Sequence, residues 1–520
     1  MRILTAGALR AIDRDAILRV GIPGACLMQS AGDALARLAA DVAGGCQGRR
    51  FVVLCGAGNN GGDGFAAARC LHAAGATVDV RVTTTPERIG GDAAVHFAAA
   101  RAAGISISFD VEQALPLCDA VLDCLLGTGA SGPPRGGVAT ALRNLRECPA
   151  PVVACDLPSG VDADTGAASE DAVRAVATLA LTALKRGLLL HPGAAHAGRI
   201  VVAPIGIPSG CFPPPADQLA TRELVREWLP KRTQHRDANK GSFGKVLVLA
   251  GSAGMAGAAV LTATAALRAG AGLVHLAVPE SLLDTAATLA PEIVLHALPE
   301  TPLRGHGGPG ARECLLALAE TVDALAVGPG LGADPASSEL VHALTGETRL
   351  PLVIDADGLR AFTGMSTPLR TDGPPPIVTP HPGEMARLRG LATSTVQADR
   401  WETTRSAAEQ LGAVVLLKGA RTLIGEPNGA ICVNRDGSPA LATAGSGDVL
   451  TGAIVALLAA GAGSGNAARA GAYLHACAGE RVAAPSWPGG ALARDLRDQL
   501  PAAWRDILEF PDPHEPAPCC

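Results

Sequence analysis

Short runs rich in apolar residues alternate along the whole chain with longer, alanine-rich stretches of helical periodicity. Runs of that length indicate buried strands, and their alternation with helices predicts βαβ units with mostly parallel sheets. The strands predicted in the first half are residues 51–55, 77–82, 120–124, 152–155 and 200–202. Those predicted in the second half are residues 246–250, 273–278, 324–327, 352–354, 377–379, 414–417 and 431–433. The chain is therefore expected to be an α/β protein.

One proline-rich segment, residues 206–216 (GIPSGCFPPPA), interrupts this pattern. Proline cannot continue a helix or a central strand, so this segment is the predicted linker. A chain of 520 residues also exceeds the size at which a single hydrophobic core stops growing. We therefore predict two α/β domains, residues 1–215 and 222–510, with the boundary near residue 220.

Composition narrows the classes of partner. Apolar residues make up 48% of the chain but aromatic residues only 2%, so Ala, Val and Leu must build the cores. The formal charge of −6 predicts no binding to nucleic acid or to an anionic membrane. The longest apolar stretch, residues 175–184, is too short to span a bilayer. Residues 1–19 have the pattern of an amphipathic helix and not of a secretory leader. The 14 cysteines form no CxxC pair, which predicts buried thiols in a reducing, cytoplasmic environment.

Three predicted strands of the first half lead into polar, glycine-rich segments: GAGNNGGDG at residues 56–64, GTGASG at 127–132 and DLPSGVDADTG at 156–166. Parallel strands bring their carboxyl ends to one edge of a sheet, where α/β proteins bind ligands. The Asn, Asp and Ser oxygens of these segments suit an alkali or alkaline-earth cation. The alternative is that Asn59, Asn60, Asp162 and Asp164 only build Asx turns. Convergence of three segments on one edge favours the ligand site.

The runs NNGGDG and DLPSGVDADTG closely resemble the epimerase domain of the NAD(P)H-hydrate repair enzymes. In that family the domain interconverts the R and S forms of NADHX and NADPHX, the C6-hydrated nicotinamide cofactors. The resemblance covers about residues 1–210 and implies a Rossmann-like three-layer α/β sandwich. It implies that Asp156 is the acid/base residue at the hydrated ring, and that Asn60, Asp123 and Ser159 bind a potassium ion. The implied dinucleotide contacts are Asn59, Asn60, Gly61, Gly62, Asp63, Gly127, Thr128, Gly129, Ala130, Ser131, Gly132, Pro133 and Asp156.

Predicted strands of the second half end in GPGLG at residues 328–332, DADGL at 355–359, TPHPGEM at 379–385 and KGART at 418–422. A further segment, AGSGDVLTG at 444–452, runs straight into an apolar helix. Unobstructed glycine amides and the helix dipole attract phosphate there. Each residue has a simpler alternative: His381 as a turn residue, Lys418 as a side chain that reaches to solvent, and Asp355 and Asp357 as helix caps. Together the segments favour a nucleotide site of the ribokinase type.

These runs resemble the ADP- or ATP-dependent NAD(P)H-hydrate dehydratases, a branch of the ribokinase-like superfamily, over about residues 225–505. The resemblance implies a ribokinase-like α/β domain that uses magnesium with ADP or ATP, and fused bacterial relatives generally use ADP. The implied nucleotide contacts are Lys418, Gly419, Ala420, Arg421, Thr422 and Gly447, and the implied contacts of the S-hydrate are Ala258, Gly330, His381 and Asp448. Asn239 stands where many relatives have His, so no contact is assigned to it. We also expect a homo-oligomer.

Asp448 is the predicted base of the second site. A carboxylate in an anion-attracting loop repels phosphate, so it is better suited to take a proton from a hydroxyl group during phosphoryl transfer. Hydroxide is a poor leaving group, and phosphorylation of the C6 hydroxyl would convert it into a good one. The simpler alternative is an aspartate that stabilises a helix N-terminus, but the neighbouring segments favour the base.

Two other functions would use the same residues. A vitamin or sugar kinase would share the AGSGD loop and release a stable phosphoester. A non-catalytic dinucleotide-binding module, acting as a sensor or scaffold, would share the fold of the first half, but the presence of Asn60, Asp123 and Asp156 argues against it. We therefore predict a bifunctional enzyme in which one domain epimerises NAD(P)HX and the other dehydrates the S form to NAD(P)H.

Overall fold

The structure is a computed structural model that describes residues 1–130, 132–214, 216–230, 237–484 and 487–510, together with the backbone of residues 517–518. Its packing divides the chain into two compact units: unit 1 is Met1–Pro215 with His514–Cys520, and unit 2 is Ala216–Pro513. No helix among the described residues is long and apolar enough to cross a membrane.

Unit 1 alternates strands and helices as predicted. Its strands are β1 (Ile3–Leu4), β2 (Arg50–Cys55), β3 (Thr77–Val82), β4 (Ser106–Ser108), β5 (Ala120–Cys124), β6 (Val152–Cys155), β7 (Ala177–Leu181), β8 (Leu184–Lys185) and β9 (Arg199–Ala203), with a further short strand at Ala517–Pro518. Its helices are α1 (Ala6–Asp15), α2 (Gly24–Ala43), α3 (Asn59–Ala73), α4 (Gly91–Ala102), α5 (Gly137–Arg146) and α6 (Ala194–Ala197). A π-helical turn, Ala16–Val20, extends α1.

The main sheet of unit 1 is parallel, with the strand order β9–β7–β6–β5–β2–β3–β4. The chain winds outward in both directions from the β2/β5 pair, and such a reversal opens a crevice at the carboxyl ends of the two strands. Phe51, Val53 and Cys55 pack with residues of α2, α3 and α4 on one face. Val52 and Leu54 pack with α5 on the other. Unit 1 is therefore the three-layer α/β sandwich that was predicted.

The prediction missed β1, β4, β7 and β8 and was wrong for residues 1–19. Strand β7 lies inside the largely apolar stretch 175–184, where only Thr182 and Ala183 separate it from β8. Residues 1–19 are not one helix, because Ile3–Leu4 pair with Leu184–Lys185. Helix α1 begins only at Ala6, after Thr5 has capped it by accepting a hydrogen bond from the N–H of Ala8.

Unit 2 also alternates strands and helices. Its strands are β10 (Gln218–Leu219), β11 (Lys245–Leu249), β12 (Leu273–Pro279), β13 (Val294–Leu298), β14 (Ala324–Val327), β15 (Leu352–Ile354), β16 (Ile377–Val378), β17 (Val414–Leu417), β18 (Leu423–Gly425) and β19 (Ile431–Val433). Its helices are α7 (Arg222–Trp228), α8 (Ala256–Arg268), α9 (Leu283–Leu289), α10 (Ala311–Ala319), α11 (Pro335–Glu347), α12 (Pro382–Arg389), α13 (Thr393–Ala398), α14 (Arg400–Leu411), α15 (Ser446–Ala459), α16 (Ser464–Ala483) and α17 (Ala493–Glu509).

The sheet of unit 2 has the order β10–β19–β18–β17–β16–β15–β14–β11–β12–β13, and β18 runs antiparallel to both of its neighbours. Its switch point lies between β11 and β14, because the chain proceeds from β11 to β13 on one side and from β14 to β19 on the other. Helices α8, α15, α16 and α17 cover one face, and α10, α11, α12 and α14 cover the other. The prediction missed β10, β13 and β18, which have short or weakly alternating patterns.

The two glycine-rich segments that were expected to be loops lie largely inside helices. Helix α3 begins at Asn59 and α15 at Ser446, so both start earlier than predicted. The glycines serve close packing there: a β-carbon on Gly61 would lie 2.0 Å from the carbonyl oxygen of Gly56. A β-carbon on Gly452 would lie 2.3 Å from the carbonyl oxygen of Thr262, on α8. Glycine therefore allows each helix to approach the neighbouring backbone closely.

The predicted linker, residues 206–216, is not a free spacer over its described part. Ile207, Cys211 and Phe212 pack against Leu9 and Ile12 of α1. The Arg2 guanidinium lies 4.9 Å from the centre of the Phe212 ring. This segment therefore belongs to the hydrophobic core of unit 1. The residues between the two predicted domains include β10, which pairs with β19 in the sheet of unit 2.

Candidate active sites at the carboxyl edges of the two sheets

A cavity of about 650 Å³ opens at the switch point of unit 1, beside the carboxyl ends of β2 and β5. Residues 56–60 and 125–130 form two of its walls. Helix α1 adds Leu9 and Asp13, which share one helix face because they are four residues apart, and the π-helical turn that follows adds Ile17. Asp156 and Lys185 also line the cavity. Its volume suits a small-molecule ligand.

Asp156 follows β6 and is held in a left-handed backbone conformation, with a φ of 67°, which non-glycine residues seldom adopt. Its carboxylate oxygen Oδ1 accepts hydrogen bonds from Lys185 Nζ and, at 3.3 Å, from the N–H of Leu181. Lys185 is 1% exposed, and its ammonium also donates to the Leu181 carbonyl at 2.6 Å. A buried ammonium and a buried carboxylate thus compensate each other at the cavity wall.

Two further carboxyl groups share this environment. Burial raises the pKa of Asp63 well above its usual range, and the charges of Asp156 and Asp13 raise it further. Burial also raises the pKa of Asp13, with the charge of Asp156 acting in the same direction. Burial and the neighbouring charges therefore disfavour the ionised form of Asp63, and the site combines several carboxyl groups with one buried ammonium.

Asn60, Asp123 and Ser159, the three predicted potassium ligands, are joined through a short segment beside the cavity. Ser159 donates from its hydroxyl to Asp123 Oδ1 at 2.6 Å and from its amide to Oδ2 at 2.8 Å. The N–H of Leu126 donates to Ser159 Oγ at 3.0 Å. The next residue, Gly127, adjoins Asn60, since a β-carbon on Gly127 would lie 3.5 Å from Asn60 Oδ1.

This cluster has the chemistry of a cation site. The carboxamide oxygen and nitrogen of Asn60 are buried and have no hydrogen-bond partner in the part of the chain that the structure describes, which is costly for buried polar atoms. Burial raises the pKa of Asp123 to about 6, against hydrogen bonds from Ser159 that lower it. Among the described residues, no group of three or more His, Cys, Asp or Glu side chains could hold a metal ion. The donors offered to a cation here are therefore amide and hydroxyl oxygens beside one carboxylate, a set that fits a hard monovalent ion.

Apart from Ser131, the predicted dinucleotide contacts fall into three groups. Those that line the main cavity are Asn59, Asn60, Asp63, Gly127, Thr128, Gly129, Ala130 and Asp156. Gly61 and Gly62 lie inside α3, where their missing side chains leave room for Gly56 and Met28. Gly132 and Pro133 line a neighbouring cavity of about 260 Å³, and Ser131 lies outside the described residues.

The simpler alternative holds for Asp162, which builds a turn, whereas the Asp164 side chain makes a contact with α1. Asp162 Oδ1 accepts hydrogen bonds from the amide and the hydroxyl of Thr165, both at 2.8 Å. Asp164 Oδ1 accepts from the N–H of Ala6 at 2.8 Å, at the start of α1. Both carboxylates are therefore used to shape the loop after β6 and to fix α1.

A buried ion-pair network occupies the carboxyl ends of β15, β16 and β17 in unit 2. Lys418 Nζ donates to Asp355 Oδ1 at 2.8 Å and lies 3.6 Å from Glu384 Oε2. Thr451, on α15, donates to Asp355 Oδ2 at 2.8 Å. Burial opposes both charges, but the Lys418 ammonium and the hydrogen bonds outweigh it and lower the pKa of Asp355. Lys418 thus turns toward Asp355, with 20% of its side chain exposed, and the Asp355 side chain does not cap a helix.

Asp448 lies in the first turn of α15, directly after the left-handed N-cap Gly445 (φ 85°). Burial raises the pKa of Asp448 to about 7, the charge of Asp355 acts in the same direction, and that of Lys418 opposes them. Gly447 adjoins Lys418, because a β-carbon there would lie 3.4 Å from Nζ. An ammonium, a helix N-terminus and a carboxylate that titrates near neutrality therefore meet at one point, which is suitable for general-base chemistry beside an anion.

His381 takes the role that the simpler alternative assigned to it. It is the N-cap of α12, and its Nδ1 accepts hydrogen bonds from the N–H groups of Gly383 at 3.0 Å and Glu384 at 3.3 Å. Glu384 completes a capping box by accepting from the His381 N–H. The exposed Nε2 lies 3.4 Å from Glu384 Oε1. Since Glu384 also approaches Lys418, His381 stands at the rim of the same network.

Ala258 and Gly330 meet at the switch point between β11 and β14. Gly330 has a φ of 65°, and a β-carbon on it would lie 3.1 Å from that of Ala258. Ser252 Oγ donates to the Gly330 carbonyl at 2.8 Å. Asp357 accepts from the N–H of Gly332 at 3.0 Å, and its charge contributes to the raised pKa of Asp448. The switch-point loop therefore lies within electrostatic range of Asp448.

Residues 419–422 form the connection from β17 to β18. Gly419 lies against the Arg400 guanidinium, since a β-carbon there would be 2.7 Å from Nη1. Thr422 Oγ1 donates to the Gly419 carbonyl at 3.2 Å. Arg421 pairs with Asp436 at 2.5 Å, and Ala420 is exposed. Nucleotide contact by this segment stays a prediction.

Sequence reasoning missed Lys185 and Asp13 in unit 1, and Glu384 and Thr451 in unit 2. A signal was available for Lys185: lysine occurs at five positions in the chain, and residue 185 is the only lysine within residues 1–215. It directly follows an apolar stretch, where an unpaired charge would be costly. Glu384 and Thr451 resemble ordinary helix residues, and only the packing of α12 and α15 brings them to Asp355 and Lys418.

Two family models match the chain. One, described as YjeF-related protein N-terminus, matches residues 24–187, and the other, described as NAD(P)H-hydrate dehydratase, matches residues 246–502. The bifunctional NAD(P)H-hydrate repair enzyme of Moorella thermoacetica is 40% identical over 98% of this chain and 98% of its own. That of Thermofilum pendens is 36% identical over 98% of this chain and 97% of its own.

A solved structure also matches unit 2. The ADP/ATP-dependent NAD(P)H-hydrate dehydratase of Bacillus subtilis, co-crystallised with ATP and Mg²⁺, is 31% identical, with a TM-score of 0.50 over 56% of this chain and 98% of its own. The ribokinase-like fold predicted for the second half is confirmed. Since identity to the bifunctional relatives extends over nearly the whole chain, the chain belongs to the family of bifunctional NAD(P)H-hydrate repair enzymes.

Proposed function

We propose that unit 1 epimerises R- and S-NAD(P)HX and that unit 2 dehydrates the S form to NAD(P)H at the expense of ADP or ATP. The observation that carries this proposal is one candidate acid/base carboxylate at the carboxyl edge of each sheet, Asp156 in the wall of a cavity and Asp448 at a helix N-terminus. Family membership supplies the substrates. The two carboxylates supply a chemical reason why each unit performs its own step.

Epimerisation at C6 needs one bond to that carbon to break and to re-form on the opposite face. C6 carries both the hydroxyl group and the ring nitrogen, so a base that takes the hydroxyl proton allows the N1–C6 bond to break and a C6 carbonyl to form. The bonding pair passes to N1 and is shared with the adjacent double bond. Closure on the other face reverses these steps and returns the proton. Asp156 is the proposed base and acid, since it is the carboxylate held by an ammonium in the cavity wall.

Dehydration in unit 2 is proposed to proceed through a transient phosphoester. Asp448 takes the C6 hydroxyl proton while the oxygen attacks the terminal phosphoryl group, and the bond to the nucleotide breaks with its electron pair on the departing oxygen. Phosphate then leaves C6, assisted by the N1 lone pair, and loss of a proton from C5 restores the ring double bond. The amides at the start of α15 and the Lys418 ammonium would stabilise the negative charge on the oxygens of the transferred phosphoryl group.

Two ions complete the proposal. Asn60 Oδ1, Asp123 and Ser159 would hold a potassium ion, whose charge would compensate the buried Asp123 carboxylate and attract the anionic dinucleotide. Magnesium would arrive with the nucleotide in unit 2, because Mg²⁺ binds phosphate oxygens and water and needs few protein ligands. The Bacillus subtilis dehydratase was co-crystallised with ATP and Mg²⁺.

The test of the activities uses a mixture of R- and S-NADPHX, each nucleotide in turn and the full chain. We expect complete recovery of NADPH with release of inorganic phosphate. The full-chain Asp156→Asn variant is expected to convert rapidly only the S portion and to leave the R portion. A stable phosphorylated product in place of phosphate would indicate a small-molecule kinase. Rapid complete recovery by the Asp156→Asn variant would overturn the role of Asp156.

The potassium site is tested by thermal unfolding of the full chain in KCl and in LiCl. We expect K⁺ to stabilise unit 1 through binding to the native state, and the Asn60→Ala variant to lose that stabilisation. Asn59→Ala is the matched control, because Asn59 is the exposed neighbour of Asn60. Equal unfolding temperatures for the wild type in the two salts would contradict the proposal.

A further inference from the structure

The ammonium group of Lys185 is the central unexplained charge of the unit 1 cavity. Its side chain is 1% exposed, although it contributes to the cavity wall. Its nitrogen donates to Asp156 Oδ1 and to the Leu181 carbonyl. Burial of an ammonium is expensive without a counter-charge, and no other lysine occurs within residues 1–215. A charge retained at this cost beside the proposed base calls for a functional explanation.

The hydrogen bonds to Asp156 are distributed unequally between its two carboxylate oxygens. Oδ1 accepts from Lys185 Nζ and from the N–H of Leu181. Both bonds come from the β7–β8 segment, so Oδ1 is tied to the sheet. The side chain of Asp156 is 10% exposed and lines the cavity. Oδ2 is therefore the oxygen left for a ligand.

The surroundings of Asp156 are otherwise acidic. Asp13 on α1 and Asp63 on α3 interact electrostatically with Asp156, and so does the thiol of Cys155. Lys185 is the cation that opposes them, since its charge acts on both Asp13 and Asp63. Without it, an ionised Asp156 would face two carboxyl groups in a buried site, and only the 3.3 Å hydrogen bond from the N–H of Leu181 would orient its Oδ1.

We propose that Lys185 is a positioning residue of the epimerase: it pins Asp156 Oδ1 and thereby presents Oδ2, as a carboxylate, to the C6 hydroxyl of the hydrate. The assignment rests on the proposed function of unit 1 and adds a residue to it. Lys185 acts through Asp156, so its effect exists only while Asp156 can exchange a proton. A lysine suits this task because its ammonium is a compact point charge that fits a closed space.

The test measures interconversion of R- and S-NADPHX without nucleotide, in the full chain. In the Lys185→Met variant, which has a similar length and no charge, kcat is expected to fall about 10²-fold or more, the range of general acid–base catalysis. KM is expected to stay within about twofold, because Lys185 is not proposed to contact the dinucleotide. In the Asp156→Asn background, the same Lys185→Met change is expected to alter the residual rate by less than about twofold, since coupled residues are not additive.

The Lys185→Ala variant provides a second test that does not depend on the fit of methionine. Small primary alkylammonium ions in the buffer are expected to restore part of kcat, while alcohols of the same length restore none. Dehydration of S-NADPHX by the same preparation and its thermal unfolding report whether the chain is folded. If Lys185→Met fails to fold, the Asp156→Asn/Lys185→Met double variant removes both buried charges together and is compared with Asp156→Asn alone.

The outcomes separate this inference from the function on which it rests. A wild type that does not interconvert the epimers would refute the epimerase function. A wild type that does so, with an unchanged kcat in Lys185→Met or with equal losses in both backgrounds, would refute the role of Lys185 alone. Equal recovery with ammonium ions and alcohols would reduce Lys185 to a space-filling residue and would also refute it.

Discussion

Each of the two sites contains a lysine that is hydrogen-bonded to a buried aspartate at the end of a strand, but the two lysines hold different kinds of carboxylate. In unit 1, Lys185 bonds to Asp156, the proposed acid/base residue itself. In unit 2, Lys418 bonds to Asp355, and the proposed base Asp448 stands apart on α15. Burial and the charge of Asp355 raise the pKa of Asp448 to about 7. The lysine–aspartate pair therefore holds the proposed base itself in unit 1, whereas in unit 2 it only influences the pKa of a separate base.

The difference matches the chemistry proposed for each unit. An epimerase base has to exchange a proton in both directions with one hydroxyl group, and a fixed, paired carboxylate presents one oxygen for that purpose. A base beside phosphoryl groups meets a high negative charge, and a carboxylate that protonates near neutrality is repelled less. On similar α/β folds, the position of the lysine relative to the base thus determines whether the lysine orients the base or only influences its pKa.

The largest expected effect comes from replacing Asp448, the proposed base of unit 2. Asp448→Asn keeps the shape of the side chain and removes its ability to accept a proton, so nucleotide-dependent conversion of S-NADPHX is expected to fall about 10²- to 10⁴-fold. Interconversion of the epimers is expected to stay unchanged, because unit 1 has its own carboxylate. Asp156→Asn should give the opposite pattern. Dehydration by Asp448→Asn at near wild-type rate would remove Asp448 from the mechanism.

Substitutions of Lys418 and of Asp355 are expected to shift the pH dependence of the dehydration rate in opposite directions. Because the dehydration base must be ionised, the rate is expected to rise with pH through the pKa of Asp448, which is about 7. The Lys418 charge lowers that pKa and the Asp355 charge raises it. Lys418→Met should therefore move the rise to higher pH, and each whole pH step by which its midpoint moves should reduce the rate at acidic pH about tenfold. Asp355→Asn should move it to lower pH.

The measurement is kcat/KM for S-NADPHX from mildly acidic to mildly alkaline pH at saturating nucleotide, with Lys240→Met as the matched control on an exposed lysine. Both network variants also remove one partner of a buried pair, which costs about 3–5 kcal/mol of stability, so their folding is checked by thermal unfolding at each pH. Midpoints that move in the same direction in Lys418→Met and Asp355→Asn would show that the pair does not set the ionisation of Asp448.

The fold was more predictable than the electrostatics of the sites. Buried strands such as β5, β6, β14 and β17 were predicted to the residue, because parallel strands covered on both faces appear as short apolar runs. The starts of α3 and α15 were predicted too late, since glycines and polar residues indicate a loop wherever close packing is not known in advance. Residues 206–214 have the composition of a linker. Their packing against α1 was not predicted, because it joins segments about 200 positions apart in the chain.

The site residues divide in the same way. Asp156 and Asp448 were found because each directly follows or begins an element within a recognisable motif. Lys185 and Glu384 were missed because their roles depend on long-range contacts. Lys185 bonds to Asp156, 29 positions earlier in the chain, and Glu384 approaches Lys418 at the end of another strand. Local pattern can identify which strand ends carry chemistry. It cannot tell which charge is paired with which, and that pairing decides the ionisation of each base.

The smallest expected effect is on stability, and it has the opposite sign to the loss of activity. The pKa of Asp448 rises from 3.8 to about 7 on folding, so the native state binds this proton more tightly than the unfolded chain. Its contribution is favourable below about pH 4 and is lost as the pH rises through about 7. At about pH 8 the wild type keeps an ionised carboxylate in a partly buried site, whereas Asp448→Asn does not. The variant is therefore expected to unfold a few degrees higher than the wild type at that pH, with the gap closing toward about pH 4.

Asp156→Asn leaves Lys185 buried without its counter-charge and is expected to unfold at lower temperature under the same alkaline conditions. Differential scanning calorimetry of the two variants tests the comparison. The same substitution is expected to raise the unfolding temperature at Asp448, whose charge is unfavourable in the folded chain, and to lower it at Asp156, whose charge is paired with Lys185.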